Sequence, residues 1–318
     1  EQELLKLNLS GVSLKSILGS IQDEDYITKV MARFNVETVY HAASYKHVPL
    51  VERNILMATK NNILGTLFTA RAAMNTGVSN FILISSDKAV RPTNFMGATK
   101  RFAELILQAF AEQDGHATKF SMVRFGNVLD SSGSVVPRFT KQISEGGPVT
   151  VTHPEVTRYF MTISEAVQLV IQASSMGSGG DVFVLDMGEP VKILKLAETL
   201  IHLMGKSIRS KDGSDGDIEI VFTGLRPAEK LYEELLIGDN CVGTEHPMIS
   251  RSTEVGIGLT VLEKHLALLQ KACTEAAYKK IMSVVSETIP EYQPAESIYD
   301  FVYANQNDLA TNVVTFKG

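Results

Sequence analysis

Phe81-Ile82-Leu83-Ile84 runs directly into Ser85-Ser86-Asp87-Lys88, and eight residues after Lys88 the chain reads Met96-Gly97-Ala98-Thr99-Lys100. The first four residues form an apolar run, the pattern of a strand buried on both faces of a parallel sheet. Hydroxyls, a carboxyl and an ammonium at the C-terminal end of such a strand lie where open α/β sheets place their chemistry. Met96 and Lys100 are one helical turn apart and share a face. Ala98, Phe102, Leu105, Ile106, Ala109 and Phe110 recur at three- and four-residue steps, which predicts a helix over 94–113 with an apolar stripe on the sheet.

Outward from this stretch, β-branched and aromatic residues predict further strands over 12–18, 36–40, 119–125, 181–185 and 217–222. Helical patterns lie between them over 24–33, 55–73, 164–174 and 193–204. Strands alternating with helices give a doubly wound parallel α/β sheet. From about residue 130 the loops lengthen, which predicts a smaller lobe built from insertions after the later strands. The expected division places 1–128 with parts of 155–190 in the sheet domain, 129–155 and 190–295 in the C-terminal lobe, and 296–318 in a polar tail.

Composition narrows the class. The 318 residues are 44% hydrophobic and 21% charged, which is globular, and the net charge of −6 argues against a nucleic-acid partner. Two cysteines, Cys241 and Cys273, give neither a disulfide framework nor a metal spacing, so a reducing, cytoplasmic compartment is the default. The seven histidines make no metal constellation, and no metal is expected. No apolar run approaches the roughly 18 residues of a membrane span, and Glu1-Gln2-Glu3 does not open a signal peptide.

A dinucleotide-binding sheet normally opens with a strand, a glycine-rich loop and a helix N-terminus that takes the pyrophosphate. Here a helix-like 1–7 comes first, and no such loop follows, so an N-terminal βαβ unit is expected to be missing from this chain. Gly177-Ser178-Gly179-Gly180 follows a helix and reads as its C-cap and turn. Gly205-Lys206-Ser207 lacks the earlier glycine of a phosphate-binding loop, and Ser131-Ser132-Gly133-Ser134 lacks a spaced glycine triplet.

Several further motifs point to one family. They are His41-Ala42-Ala43-Ser44-Tyr45-Lys46-His47-Val48-Pro49-Leu50-Val51-Glu52, Asn61-Asn62-Ile63-Leu64-Gly65-Thr66 and Val123-Arg124-Phe125-Gly126-Asn127-Val128. Thr157-Arg158-Tyr159-Phe160-Met161-Thr162 and Gly224-Leu225-Arg226-Pro227-Ala228-Glu229-Lys230 complete the set. Over about residues 10–295 the chain resembles the UDP-N-acetylglucosamine 4,6-dehydratases of bacterial polysaccharide and glycan biosynthesis, which are extended short-chain dehydrogenases. It departs from them at Asp130 and Ala228, where glycine is usual, and Met96 replaces the acid-base tyrosine of short-chain dehydrogenases.

The resemblance implies a Rossmann-like domain, tightly bound NAD or NADP recycled within each turnover, and a UDP-sugar substrate. It implies oxidation at C4, loss of water across C5 and C6, and hydride return to C6. Lys88 is the candidate base at C5, needing a lowered pKa through burial or the nearby Lys100 charge. Asp87 is the candidate acid for the C6 hydroxyl, needing a raised pKa. Ser86 would bond the C4 oxygen, and Lys100 would hold the nicotinamide ribose. Met96 carries no proton, so water on Lys100 or Asp87 itself must accept the C4 hydroxyl proton; methionine here favours retention at C5.

Ala42, Ala43, Ser44, Ser85 and Asn62 fall on the cofactor side, with Asn62 either a cofactor contact or a strand brace. Lys46, His47, Glu52 and Asn127 fall near the sugar or diphosphate. Arg226 and Glu229 would clamp diphosphate and ribose, with Arg158 a phosphate or structural ion-pair residue. Val151, with its neighbours Val149 and Thr150, would offer backbone groups to uracil. By analogy the protein would be a homo-oligomer paired through its long central helices, and many relatives carry upstream membrane segments with the catalytic domain facing the cytoplasm. Two other readings stand beside this one. A UDP-hexose 4-epimerase needs the tyrosine and not the Asp-Lys pair, and a non-catalytic nucleotide-sugar-binding module would have lost its glycine loop.

Overall fold

The computed structural model describes residues 11–131, 133–209, 215–226, 229–234, 241–294 and 298–303. Helix α1 (Glu24–Phe34) starts at Asp23, whose carboxylate accepts the Tyr26 amide, and leads into strand β1 (Thr38–His41). Short helices α2 (Val48–Glu52) and α3 (Ile55–Ala58) precede a π-helical turn over Thr59–Leu64 and helix α4 (Gly65–Thr76). The single helix expected over 55–73 is therefore interrupted. Strand β2 (Asn80–Ile84), a 3₁₀ turn over Asp87–Ala89, helix α5 (Phe95–Ala111) and strand β3 (Lys119–Arg124) carry the quoted motif as anticipated.

The next segment builds the small lobe from β4 (Asn127–Val128), α6 (Val135–Ser144), β5 (Val149–Val151), β6 (Thr157–Arg158) and β7 (Phe160–Met161). The chain re-enters the large domain through α7 (Ile163–Met176), opened by a Thr162–Glu165 capping box, and β8 (Asp181–Leu185). It returns to the lobe with β9 (Val191–Lys192), α8 (Ile193–Leu203) and β10 (Ile220–Phe222). Strands β11 (Cys241–Gly243) and β12 (Ile249–Ser252) and helices α9 (Leu259–Thr274) and α10 (Tyr278–Thr288) complete the described elements.

The main sheet has the order β1-β2-β3-β8-β12-β11, with β1, β2, β3 and β8 parallel and the last two antiparallel. This is the Rossmann-like α/β fold expected from the sequence. One face packs on α4, α5, α9 and α10 through Phe81, Phe102, Phe120, Leu262 and Ile281; the other packs on α7 through Ile82, Val123, Phe183 and Val170. The lobe has its own core of Phe139, Ile143, Val149, Val151, Ile193, Ile201 and Ile218.

Three expectations are corrected. Residues 12–18 form no strand, and Val12, Leu14, Ile17 and Leu18 are exposed, because apolar content without a neighbouring strand makes no ladder. Residues 241–288 belong to the large domain, not to a lobe over 190–295, since β12 pairs with β8 and α9 packs on α5. The segment 298–303, expected as tail, is packed: the buried Asp300 carboxylate accepts the Ile55 amide at 2.7 Å, and the Phe301 amide donates to the Arg53 carbonyl. Helix α5 is covered within its own chain by α9 and α10. The helix-like 1–7, Ser132, Pro227 and Ala228 lie outside the described residues. Among the described residues no helix is long and apolar enough to cross a membrane.

Candidate active site

A cavity of about 540 Å³ opens between the C-terminal ends of β1, β2 and β3 and the small lobe. It is the crevice position expected of a parallel sheet. Ala42, Ser44, Lys46, His47, Ser85, Ser86, Lys88, Met96, Lys100, Asn127, Val151, Arg158, Arg226 and Glu229 line it, so residues distant in sequence meet there.

The turn after β2 is held against β3 by its backbone: the Ser85 amide donates to the Val123 carbonyl and the Asp87 amide to the Phe125 carbonyl. That fixes Asp87 and Lys88 at the cavity floor. Asp87 is fully enclosed behind the lining, and Lys88 reaches past it to the cavity with its side chain 21% exposed. Lys88 Nζ lies 3.1 Å from Asp87 Oδ1, 2.7 Å from Glu233 Oε1 and 3.4 Å from Asn127 Oδ1. The Ser86 hydroxyl donates to Asp87 Oδ1 at 2.8 Å.

The electrostatics differ from the sequence expectation. Burial alone would lower the Lys88 pKa, but Asp87 and Glu233 outweigh it and raise it, so the resting group is an ammonium. Burial opposes ionisation of Asp87, yet Lys88, Glu233 and Ser86 together hold its pKa below the ordinary value. The raised carboxyl is Glu233, pushed up to about 7 by burial and the Asp87 charge. The lowered lysine is Lys100, brought down to about 8 by burial. The acid and base roles thus require a proton to move within the cluster.

Helix α5 presents Met96 and Lys100 to the same cavity wall. Its start is fixed twice: Asn94 accepts the Gly97 amide and the Glu52 carboxylate accepts the Phe95 amide. Lys100 Nζ donates to the Ile84 carbonyl at 2.8 Å. Ser85 lines the cavity while its hydroxyl donates to Glu104 at 2.6 Å. Small Ala42 and Ser44 at the end of β1 leave the neighbouring wall open.

Besides Asp87, three of the proposed contact residues do not reach the cavity lining. Asn62, buried in the π-helical turn, donates to the Tyr45 carbonyl and to Thr99 Oγ1 and accepts the Tyr45 amide, which makes it the brace between the β1 loop and α5. Glu52 is spent on the start of α5, and Ala43 lies off the lining. The backbone groups of β5 are also engaged: Val149 N with Glu219, Thr150 N with Gln142, Thr150 O with Arg138 and Val151 O with Thr223. Val151 therefore offers its side-chain surface, not free backbone, to a base.

In the lobe, Glu229 Oε1 meets Arg158 Nη2 and Thr152 Oγ1, both at 3.2 Å, and Glu229 Oε2 accepts the Arg226 amide. Arg158 is an ion-pair residue: it also meets Glu233 at 3.3 Å and donates to the Thr157 and Leu231 carbonyls. Glu233 and Arg138 are among the lining residues that escaped the sequence reading. Glu233 sits in the Lys230-Leu231-Tyr232-Glu233-Glu234 run, whose only signal was its closeness to the Arg226 motif. Arg138 bonds Thr150, and burial and the neighbouring Arg226 charge lower its pKa. Two guanidiniums facing one space form a site for a polyvalent anion. His41, buried against Thr66, has its pKa lowered to about 3 by burial and Lys100, and is neutral. Among the described residues no group of three His, Cys, Asp or Glu is arranged to hold a metal ion.

Known proteins of related sequence and structure bear on this site. The capsular polysaccharide biosynthesis protein CapD of Staphylococcus aureus is 54% identical over 235 residues, covering 74% of this chain and 38% of CapD. The chain thus spans well under half the length of that relative. A UDP-glucose 4-epimerase of Rickettsia akari is 33% identical over 278 residues, covering 85% of this chain and 78% of the epimerase. The X-ray structure of Pen from Bacillus thuringiensis superposes with a TM-score of 0.71 at 32% identity, covering 81% of this chain and 79% of Pen. DesIV, a dTDP-glucose 4,6-dehydratase from Streptomyces venezuelae solved with NAD, superposes at 0.64 with 15% identity, over 74% of each chain, a likeness of fold alone. Residues 1–254 match the polysaccharide biosynthesis protein family, and the chain is a member of it.

Proposed function

We propose that the chain is the catalytic domain of a nucleotide-sugar-modifying enzyme of capsular or related polysaccharide biosynthesis, and that its reaction is 4,6-dehydration of UDP-N-acetylglucosamine. The observation that carries the reaction is the Asp87–Lys88–Glu233 cluster at the cavity floor, one wall away from Met96 and Lys100. A carboxyl and an amine side by side are what loss of a C5 proton and a C6 hydroxyl needs. The DesIV neighbour holds NAD, and the wall of small residues at Ala42 and Ser44, with the Lys100 ammonium beside it, fits a nicotinamide riboside. When bound, the nicotinamide supplies hydride acceptance and return.

The chain's own groups do the rest. The Lys100 charge stabilises developing alkoxide at C4. Lys88 takes the C5 proton, and Asp87 gives a proton to the departing C6 hydroxyl. Arg138, Arg226 and Asn127 bind the diphosphate side, and Glu229, held by Arg158 and Thr152, positions Arg226 through its backbone. A 4-epimerase reading draws on the Rickettsia likeness. It is disfavoured because Met96 faces the cavity where that chemistry needs a proton carrier, while Asp87 and Lys88 would be idle.

Incubation of UDP-N-acetylglucosamine with NAD and the protein in D₂O, followed by proton NMR, tests the reading. Dehydration gives a C6 methyl signal with deuterium at C5; Lys88→Ala abolishes C5 exchange, and Met96→Ala leaves appreciable turnover. A C4-epimerised sugar without a methyl signal would replace the dehydratase by the epimerase.

A further inference from the structure

We propose that Glu233 is the proton partner of Asp87: the two carboxyls hold one proton between them, and this shared proton lets Lys88 become the base. The inference rests on the dehydratase reading for its purpose, but the shared proton is a property of the chain itself.

The geometry comes first. Both carboxyls contact the same ammonium, Asp87 at 3.1 Å and Glu233 at 2.7 Å, with side chains 0% and 5% exposed. Asp87 Oδ2 and Glu233 Oε2 are buried with no donor on either. Both carboxyls meet at Lys88 Nζ, and their mutual interaction is among the causes that hold the Asp87 pKa down and push that of Glu233 up. Two ionised oxygens repel across such a contact, whereas one proton satisfies both. Gly126 packs against Asp87: a Cβ built there would lie 3.3 Å from Oδ2 and 3.2 Å from Tyr159 Cβ, tighter than ordinary contact.

The charged groups facing Glu233 are Lys88 and Asp87 from the turn after β2, Arg158 from β6 and Lys230 from its own segment. With Glu233 neutral, Asp87 and Lys88 cancel, and moving a proton from Lys88 Nζ to Asp87 Oδ1 creates a neutral amine and a neutral acid together. The N–H bond of Lys88 breaks and the O–H bond of Asp87 forms. Elimination then moves the C5 proton to Lys88 and the Asp87 proton to the C6 hydroxyl, which leaves as water. Lys88 returns a proton to C5; the C4 hydroxyl proton has already passed to water beside Lys100 when the ketone formed, and a proton from that water refills Asp87. Glu233 keeps its own proton throughout. With Glu233 ionised, Lys88 is clamped as an ammonium between two carboxylates and the transfer is opposed.

Glu233 is therefore a positioning residue for the proton, and its signature is a pH dependence. The wild-type kcat should fall as pH rises through about 7, where Glu233 loses its proton. Glu233→Gln, which keeps a donor toward Asp87 but cannot ionise, should remove that fall, and Glu233→Asp should restore one. Infrared titration of the carboxyl stretch in the same proteins reads the proton directly, whether or not the sugar turns over. A protonated carboxyl that titrates near neutrality and vanishes in Glu233→Gln supports the inference. If no carboxyl titrates above pH 5, or if the alkaline fall is identical in Glu233→Gln, the inference is wrong. A carboxyl titrating as expected in a protein that gives no C6 methyl product would instead remove the dehydratase reading and leave the shared proton standing.

Discussion

Asp87 and Lys88 are adjacent in sequence, yet their protonation is decided by a residue far along the chain, Glu233. The pair was legible because a strand end with an acid and an amine is a local pattern. Glu233 and Arg138 were not, since an acid or a guanidinium in a loop or on an amphipathic helix reads as surface until the lobe folds over the turn. The Asp130 departure has a physical meaning too. Its φ of 58° places a non-glycine residue in the left-handed region, where a Cβ costs about 1 kcal/mol. Asp130→Gly is expected to raise the unfolding free energy by about that amount, read by urea denaturation. An unchanged midpoint and slope would show that the aspartate is unstrained there.

Helix α5 illustrates how an element can be legible while its seat is not. Its apolar stripe and its bounds were readable from periodicity, and Phe95–Ala111 departs little from 94–113. What pins it came from elsewhere: Glu52 on the Phe95 amide, and the carbonyl of Lys88 against Gly97. A methyl on Gly97 would collide with that carbonyl, with Pro92 Cβ at 3.2 Å on another side. Gly97→Ala should therefore push Met96 and Lys100 off the turn that carries Asp87 and Lys88. The expected loss in kcat is on the order of 10- to 100-fold, with a smaller change in substrate binding, measured by steady-state kinetics and calorimetry. Full activity would mean the helix and turn are not rigidly coupled. The π-helical turn of Thr59–Leu64 was invisible for a related reason, because its extra residue serves a tertiary contact, the Asn62 brace, and not a local preference.

Across the whole molecule, a buried ionic network ties the sheet to its covering helix and to the segment beyond β12. Arg124 of β3 bonds Glu104 of α5 at 2.8 and 2.7 Å and Glu254 at 2.7 and 2.8 Å, and Arg101 adds contacts to Glu104 and Glu254. Burial opposes the Glu104 charge, but Arg124, Arg101 and Ser85 win and lower its pKa to about 2. Since the folded value lies below the unfolded one, the contribution of Glu104 is complete above about pH 4.5 and is lost as pH falls toward 2. Glu104→Gln should cost on the order of 3–5 kcal/mol at neutral pH, because it leaves the buried Arg124 with one of its two carboxylates gone. Denaturation from pH 7 to 3 should show the wild type losing stability more steeply than the variant; equal slopes would mean that the network contributes nothing net. None of this was readable in advance, since the strands and helices after residue 240 alternate weakly and their partners lie far back in the chain.

Residues 289–294 and 298–303 reach back to the opening third of the molecule. The Gln293 amide meets the Pro92 carbonyl, Asp300 takes the Ile55 amide, and Phe301 lies under the Arg53 guanidinium at 5.3 Å. The loop through Pro92 joins the reactive turn to α5, so the last described residues to leave the ribosome are the ones that tie that loop down. Contacts of this sequence separation close late. The strands and the reactive pair can assemble before this segment is made, but the loop beside them is tied down only once residue 301 has been added, which keeps a chain that stops short of it from meeting substrate with a completed site.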